Sequence, residues 1–311
     1  MKLSQLIAYR NAIQNFNVGD VQIEATMELD KIMHEVDIHR IPLPANIELE
    51  KNLSSINLAF SMFKQNLDML RVQIDAKIKL IEKPYFRASY ELYKNEMSRD
   101  TVEHILDRRT SISTETEELI HSRVKYYGDW RYPGMLLRPG RHDIISHMVS
   151  YDPLYILDNN QELLDPAISR FPEQYQKRLC MYHLNEDNKN FIADIPDNQF
   201  GVCVAYDFFN FKPMEVLKKY LSEIYVKLKP GGVLAMTFND CDHVAAMILV
   251  ENYFGCYTPG RLVIDTAEDI GFELTYEWHK NGEPVTWLEL KKPGQLTSLR
   301  GGQTLAKIVR K

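Results

Sequence analysis

The chain has 311 residues, 45% of them hydrophobic, and a formal net charge of -6, which is enough for two domains and a sizeable core. A pI near 5.9 gives no general attraction to phosphate backbones, so nucleic acid is not a favoured partner. The opening MKLSQLIAYRNAIQ is broken by polar residues too early for a signal peptide, and no apolar run approaches a membrane span of roughly 20 residues; the expectation is a soluble, cytoplasmic protein with no membrane partner. The four cysteines, Cys180, Cys203, Cys241 and Cys256, form no CxxC pair and read as reduced structural thiols.

Residues 1–125 read as an all-helical arm. From Asn46, apolar residues at Leu49, Leu53, Ile56, Phe60, Phe63, Leu67, Leu70 and Ile74 alternate in steps of four and three, the spacing of a coiled-coil seam. The pattern continues through Ile78 and Ile81 after a stutter and predicts one helix over about 47–82, ended by Pro84. A helix that long outruns a small domain. Its seam needs a partner helix from the same chain or from a second copy, so self-association or a partner protein is expected along the arm. Candidates within the chain are Asp20–Val36, with Val21, Ile23, Met27 and Ile32, and the segment opened by Thr114-x-x-Glu117, a capping-box pattern.

After Tyr126 the texture changes, and 126–311 reads as an α/β domain. MLLRP, PLYILD, RLCMYHL, GVCVAYDFF and VLAMTF read as buried strands, and EVLKKYLSEIYVKL as an amphipathic helix between the last two. Such alternation predicts a parallel sheet with crossover helices. FELTYEWHK, VTWLELKK and TLAKIVRK follow with little helix between them, as an antiparallel edge. The fold class expected is α/β, a mixed seven-stranded Rossmann-like sheet preceded by helices.

Three passages carry a resemblance: PLYILDNN, with Asp158 at a strand end; IPDNQFGVCVAYDFFNF; and YLSEIYVKLKPGGVLAMTFND, followed downstream by AEDIGFEL. Their order and spacing resemble the class I, Rossmann-like family of S-adenosylmethionine-dependent methyltransferases over about Trp130 to Lys292. In an open parallel sheet the ligand lies at the carboxyl ends of the strands, at the topological switch point. The resemblance therefore implies that Asp158, with Asn159 beside it, binds the ribose hydroxyls of S-adenosylmethionine, although Asp158 or Asn159 also suits a helix cap. Glu186 and Asp187, after Asn185, stand where the adenine ring is contacted, or in a solvated acidic loop. Tyr206 and Asp207 would face the sulfonium and the methyl group, while Phe208 and Phe209 read as core. Pro230-Gly231-Gly232 reads as a tight turn into the fifth strand.

The first strand departs from the family pattern. Where the resemblance implies an acid and a glycine-rich loop, LLRPGRHD places Leu136 at the acid and Arg138 at a glycine, and keeps Gly140 as a binding residue. Arg138 either clamps the cofactor carboxylate or opposes the sulfonium charge and blocks the site.

Methyl transfer to a hydroxyl or amide needs a base. Asp240 and His243, in FNDCDHVAAM after the fifth strand, are the catalytic candidates, with a helix N-cap at Asp240 or Asp242 as the competing role. No Walker loop, HExxH, GxSxG or zinc-type His/Cys spacing occurs, so no metal site is expected. The function expected is methyl transfer from S-adenosylmethionine to an unidentified acceptor. The alternative is a non-catalytic assembly or virion structural protein, phage-encoded, in which a degenerate methyltransferase-like domain carries a helical oligomerisation arm.

Overall fold

The computed structural model describes residues 2–16, 46–95, 112–139, 144–169 and 171–296. Their order is α1 (Leu3–Asn15), α2 (Asn46–Asn95), α3 (Thr114–Tyr126), β1 (Gly134–Leu137), α4 (Ile144–His147), β2 (Leu154–Asp158), α5 (Gln161–Ile168), α6 (Glu173–Gln176), β3 (Leu179–His183), β4 (Phe200–Ala205), α7 (Met214–Lys227), β5 (Leu228–Asn239), α8 (Val244–Glu251), α9 (Gly260–Ile270), β6 (Glu273–His279) and β7 (Val285–Lys291). Gly140, the segment Asp20–Val36 and the strand expected from TLAKIVRK lie outside the described residues.

Side chains alternate across a strand, so a run that is apolar throughout must be buried on both faces. Met135 and Leu137 of β1, Cys203 and Ala205 of β4, and Leu234 and Met236 of β5 enter one core with Leu217, Tyr220 and Ile224 of α7 and Val263 of α9. Leu136, Val202, Val204 and Ala235 enter the other, with Ile120 and Val124 of α3 and Leu164 of α5. The seven strands run in the order β3-β2-β1-β4-β5-β7-β6. The pairs among β3, β2, β1, β4 and β5 are parallel, and β7 runs antiparallel to both β5 and β6. The sheet is the mixed, seven-stranded one that the sequence predicts. The order reverses between β1 and β4, which makes their carboxyl ends the switch point.

Three local expectations are corrected. Pro230–Gly232 does not form a turn before β5 but a bulge within it: the β4–β5 register jumps from Phe200↔Leu228 to Val202↔Val233. Gly231 there takes φ 82, and its N–H bonds to Lys292 O at 2.8 Å. The α3 cap is Ser113, not Thr114, with Ser113 Oγ accepting from Thr116 N and Glu283 Oε1 bracing Ser113 N at 3.1 Å. Pro84 does not end the long helix; α2 passes through it. A proline forfeits one backbone hydrogen bond. Beyond it the helix is held by Phe86 edge-on to Tyr257 at 4.8 Å and by Ser89 Oγ accepting from Tyr257 N at 2.7 Å.

The chain divides into two compact units, Met1–Lys83 and Pro84–Lys311. The part of α2 from Pro84 on and all of α3 lie in the second unit. In the first unit Ile74 is buried on the expected seam and Phe60 and Leu67 are half-buried, while the side chain of Leu53 lies outside the described residues. All four cysteines are free. Among the described residues no helix is long and apolar enough to cross a membrane.

Candidate functional site

The register Leu137↔Leu157 and Leu137↔Ala205 brings the residues just past β1, β2 and β4 together. Arg138, the first residue beyond β1, has φ 60, and Asp207, two beyond β4, has φ 55. Left-handed backbone at a non-glycine residue costs about 1 kcal/mol or more and collects at functional sites. Here it flanks the switch point on both sides.

Asp158, ending β2, is wholly buried. Its Oδ1 accepts from Asn160 N at 2.9 Å and its Oδ2 faces Arg138 Nε at 3.3 Å. Arg138 Nη2 reaches Asn159 Oδ1 at 3.3 Å, and the guanidinium lies 5.3 Å from the Phe208 ring centre. The helix cap entertained for Asp158 or Asn159 belongs to Asn160, which accepts from Glu162 N. Asp158 is free of capping duty and is engaged by a cation.

A second ion pair sits beside the first. Glu186 Oε1 accepts from Lys212 Nζ at 2.6 Å and Tyr220 OH at 2.7 Å, and Oε2 from Tyr93 OH of α2. Burial works to raise the Glu186 carboxyl, but the Lys212 ammonium and these hydrogen bonds outweigh it and hold its pKa below the ordinary value. Burial pulls the Lys212 ammonium down against the attraction of Glu186. Lys212 Nζ also lies 4.8 Å from the centre of Phe208, so both cations contact one aromatic ring. Phe208 belongs to the core and carries the two charges as well.

The other expected binding residues divide. Asp207 N donates to Thr237 Oγ1 at 2.8 Å and its Oδ1 accepts from Asn210 Nδ2 at 2.7 Å, which turns the carboxylate toward its own loop. Tyr206 is buried in the core on the α3 side of the sheet. Asp187 is exposed, with its N–H on Asn185 Oδ1.

Asp240 and His243 are brought together past β5. Asp240 is buried; Oδ1 accepts from Gly260 N at 2.7 Å and Asp242 N at 2.9 Å, and Oδ2 from Thr286 Oγ1 at 3.1 Å. It therefore serves the start of α9, a helix distant in sequence, while His243 occupies the N-cap position of α8. A side chain at Gly260 would collide with the Asp240 carboxylate. His243 Nε2 stands 3.6 Å from Asp240 Oδ2. Its ring stacks on His279, which donates Nδ1–H to Val285 O at 3.2 Å in its neutral form. Burial lowers the His279 pKa. Burial, then the charge of Asp242, pushes Asp240 up to about 7.

That shift carries a sign. The folded state holds the Asp240 proton more tightly than the unfolded chain does, so stability falls as pH rises from about 4 to about 7 and levels off above. Asp240→Asn removes this loss. Melting temperatures from pH 4 to pH 8 should move progressively in favour of the variant; a constant difference between the two proteins would show that Asp240 does not titrate in this window.

Sequence reading missed Lys212, Tyr93, Tyr220 and His279. Lys212 had a local signal, a lone cation in the apolar run FFNFKPM. Tyr93 is 93 positions from Glu186 and had none.

No protein-family profile matches the chain, and no curated protein matches it. Similar solved structures include a SAM-dependent methyltransferase from Aquifex aeolicus, 14% identical, covering 62% of this chain and 99% of that one at a TM-score of 0.45. They also include the N-methyltransferase NodS from Bradyrhizobium japonicum, 10% identical, 58% and 98% covered, TM-score 0.43. A third is the [4+2]-cyclase SpnF, 13% identical, 57% and 82% covered, TM-score 0.43. The likeness is one of fold.

Proposed function

We propose that the carboxyl edge of the sheet binds S-adenosylmethionine and that the chain transfers its methyl group to an unidentified acceptor. The observation that supports this most is Asp158: a buried carboxylate at the end of β2, beside the switch point, whose second oxygen accepts, among the described residues, one long contact of 3.3 Å from Arg138 Nε. The donor set suits the ligand. Asp158 and Asn159 would take ribose hydroxyls and Glu186 the adenine side, while Asp207, whose carboxylate accepts from Asn210, would have to turn out of its loop to face the positive sulfonium. Arg138 fits only as a competitor, because it already supplies Asp158 and Asn159 with one hydrogen bond each where ribose hydroxyls would bring theirs, and it must withdraw for the ligand to enter.

When bound, S-adenosylmethionine supplies an electrophilic methyl group, and the chain has to position the acceptor in line with it. For a hydroxyl or amide acceptor, Asp240 or His243 would take the proton. Equilibrium dialysis with S-adenosylhomocysteine tests the reading. Asp158→Ala should weaken binding by about 1.5–3 kcal/mol, roughly ten- to hundredfold, through loss of a charged acceptor. Equal retention by wild type and variant would remove Asp158 from the site.

A second reading has its own observation. Arg138, Lys212 and Tyr93 together satisfy Asp158 and Glu186 from within the chain, as suits a non-catalytic assembly protein that keeps the fold as a scaffold. Absence of any nucleoside binding would select it.

A further inference from the structure

Helix α2 is apolar on two sides. On one side Phe63, Leu67, Leu70 and Ile74 line a cleft of about 700 Å³ with Leu6 and Ile13 of α1, and Phe16 packs edge-on to Phe63 at 5.8 Å. Helix α1 therefore covers part of the seam read from the sequence, burying Ile74, while Phe63 and Leu70 remain 44% exposed along the cleft. Roughly 140° around the helix, at 100° per residue, runs a second line: Leu58 is 62% exposed, Met62 56%, Met69 57% and Val72 67%, with Leu80, 78% exposed, beside its end. Gln65 and Ala76, also exposed, fill the remaining positions. From Leu58 to Ala76 the steps alternate four and three. Isolated exposed apolar residues are ordinary; a line of them along about 27 Å of helix, from Leu58 to Ala76, marks an interaction surface.

We propose that this second face pairs with the same face of a second copy, as a parallel, in-register two-helix coil. This goes beyond the methyl-transfer reading and does not depend on it. The heptad spacing calls for another long helix with the same repeat, and every copy of the chain carries one. A two-fold pair needs only a surface that matches itself. No charged residue lies on the line from Leu58 to Ala76, so no charge has to be neutralised by a partner of different chemistry. The rims set the direction. With Met62, Met69 and Ala76 at the a positions and Leu58, Gln65 and Val72 at d, one rim carries Asp68 and Asp75 and the other Asn66 and Gln73. Parallel pairing sets each acidic rim against the neutral one, whereas antiparallel pairing about Met69 sets Asp68 against its own copy.

Light scattering on the full chain at about 50 μM tests this. Wild type should have twice the 36.3 kDa mass of the chain, and Met62→Glu with Met69→Glu should reduce it to one chain with the helical circular dichroism unchanged, since both side chains are solvent-exposed in the single chain. Leu58→Cys, under mild oxidation, should give a covalent dimer, which parallel register allows and antiparallel pairing forbids. A monomeric wild type, as would follow if another segment of the chain covers the face, overturns the proposal. So does a dimer that survives the double substitution, or a Leu58→Cys dimer that fails to cross-link.

Discussion

Replacing Arg123 by alanine should destabilise the sheet-containing unit by about 3–5 kcal/mol and lower its melting temperature by about 6–20 °C. Arg123 projects from α3 onto Glu289, a fully buried carboxylate in the middle of β7. Its Nε donates to Oε1 at 2.6 Å and its Nη2 to Oε2, a two-pronged pair that Tyr127 OH and Trp287 Nε1 complete. Without the guanidinium the carboxylate keeps two neutral donors and no counter-charge, and burial then costs it fully. Burial raises the Glu289 carboxyl, yet these partners outweigh that and hold it below its ordinary value of 4.5. Its contribution is therefore present at neutral pH and is lost as pH falls through the ordinary value and on through the lowered folded one. The deficit of Arg123→Ala should be largest at pH 7 and shrink toward pH 3. Changing both partners, Arg123→Leu with Glu289→Met, should recover most of the loss. A variant as stable as wild type at pH 7 would show that the pair does not hold α3 to the sheet.

The strands were legible because burial on both faces imposes apolar runs, and Phe200–Ala205 has no other reading. Helix α7 was legible from its 3.6-residue period. Pro84 and Pro230 misled for the same reason: each breaks a local hydrogen-bond ladder, and in each case distant partners restore the element, Tyr257 for α2 and Lys292 for β5. The site was half legible. Asp158, Glu186, Asp240 and His243 announce themselves as polar residues at the ends of apolar runs. Their partners do not, because Arg138, Lys212, Tyr93 and His279 arrive from other strand ends and from a helix far off in sequence. Sequence showed that a glycine was missing at 138; only the structure shows where the arginine goes.

Its destination decides how the loop should respond to repair. At φ 60 the Arg138 backbone already has a conformation that glycine takes without strain. Arg138→Gly therefore keeps the chain path, removes the guanidinium from Asp158, and leaves a buried carboxylate short of donors that ribose hydroxyls can provide. Wild type must break the Arg138–Asp158 pair before binding; the variant has no pair to break. Isothermal titration with S-adenosylhomocysteine on both proteins is the direct measurement. The expected result is weak binding by wild type and at least tenfold tighter binding by Arg138→Gly, a gain of about 1.4 kcal/mol. Weaker binding by the variant would contradict the stand-in role of Arg138 and make it a clamp on the ligand, and no heat from either protein at millimolar ligand would contradict the cofactor site itself.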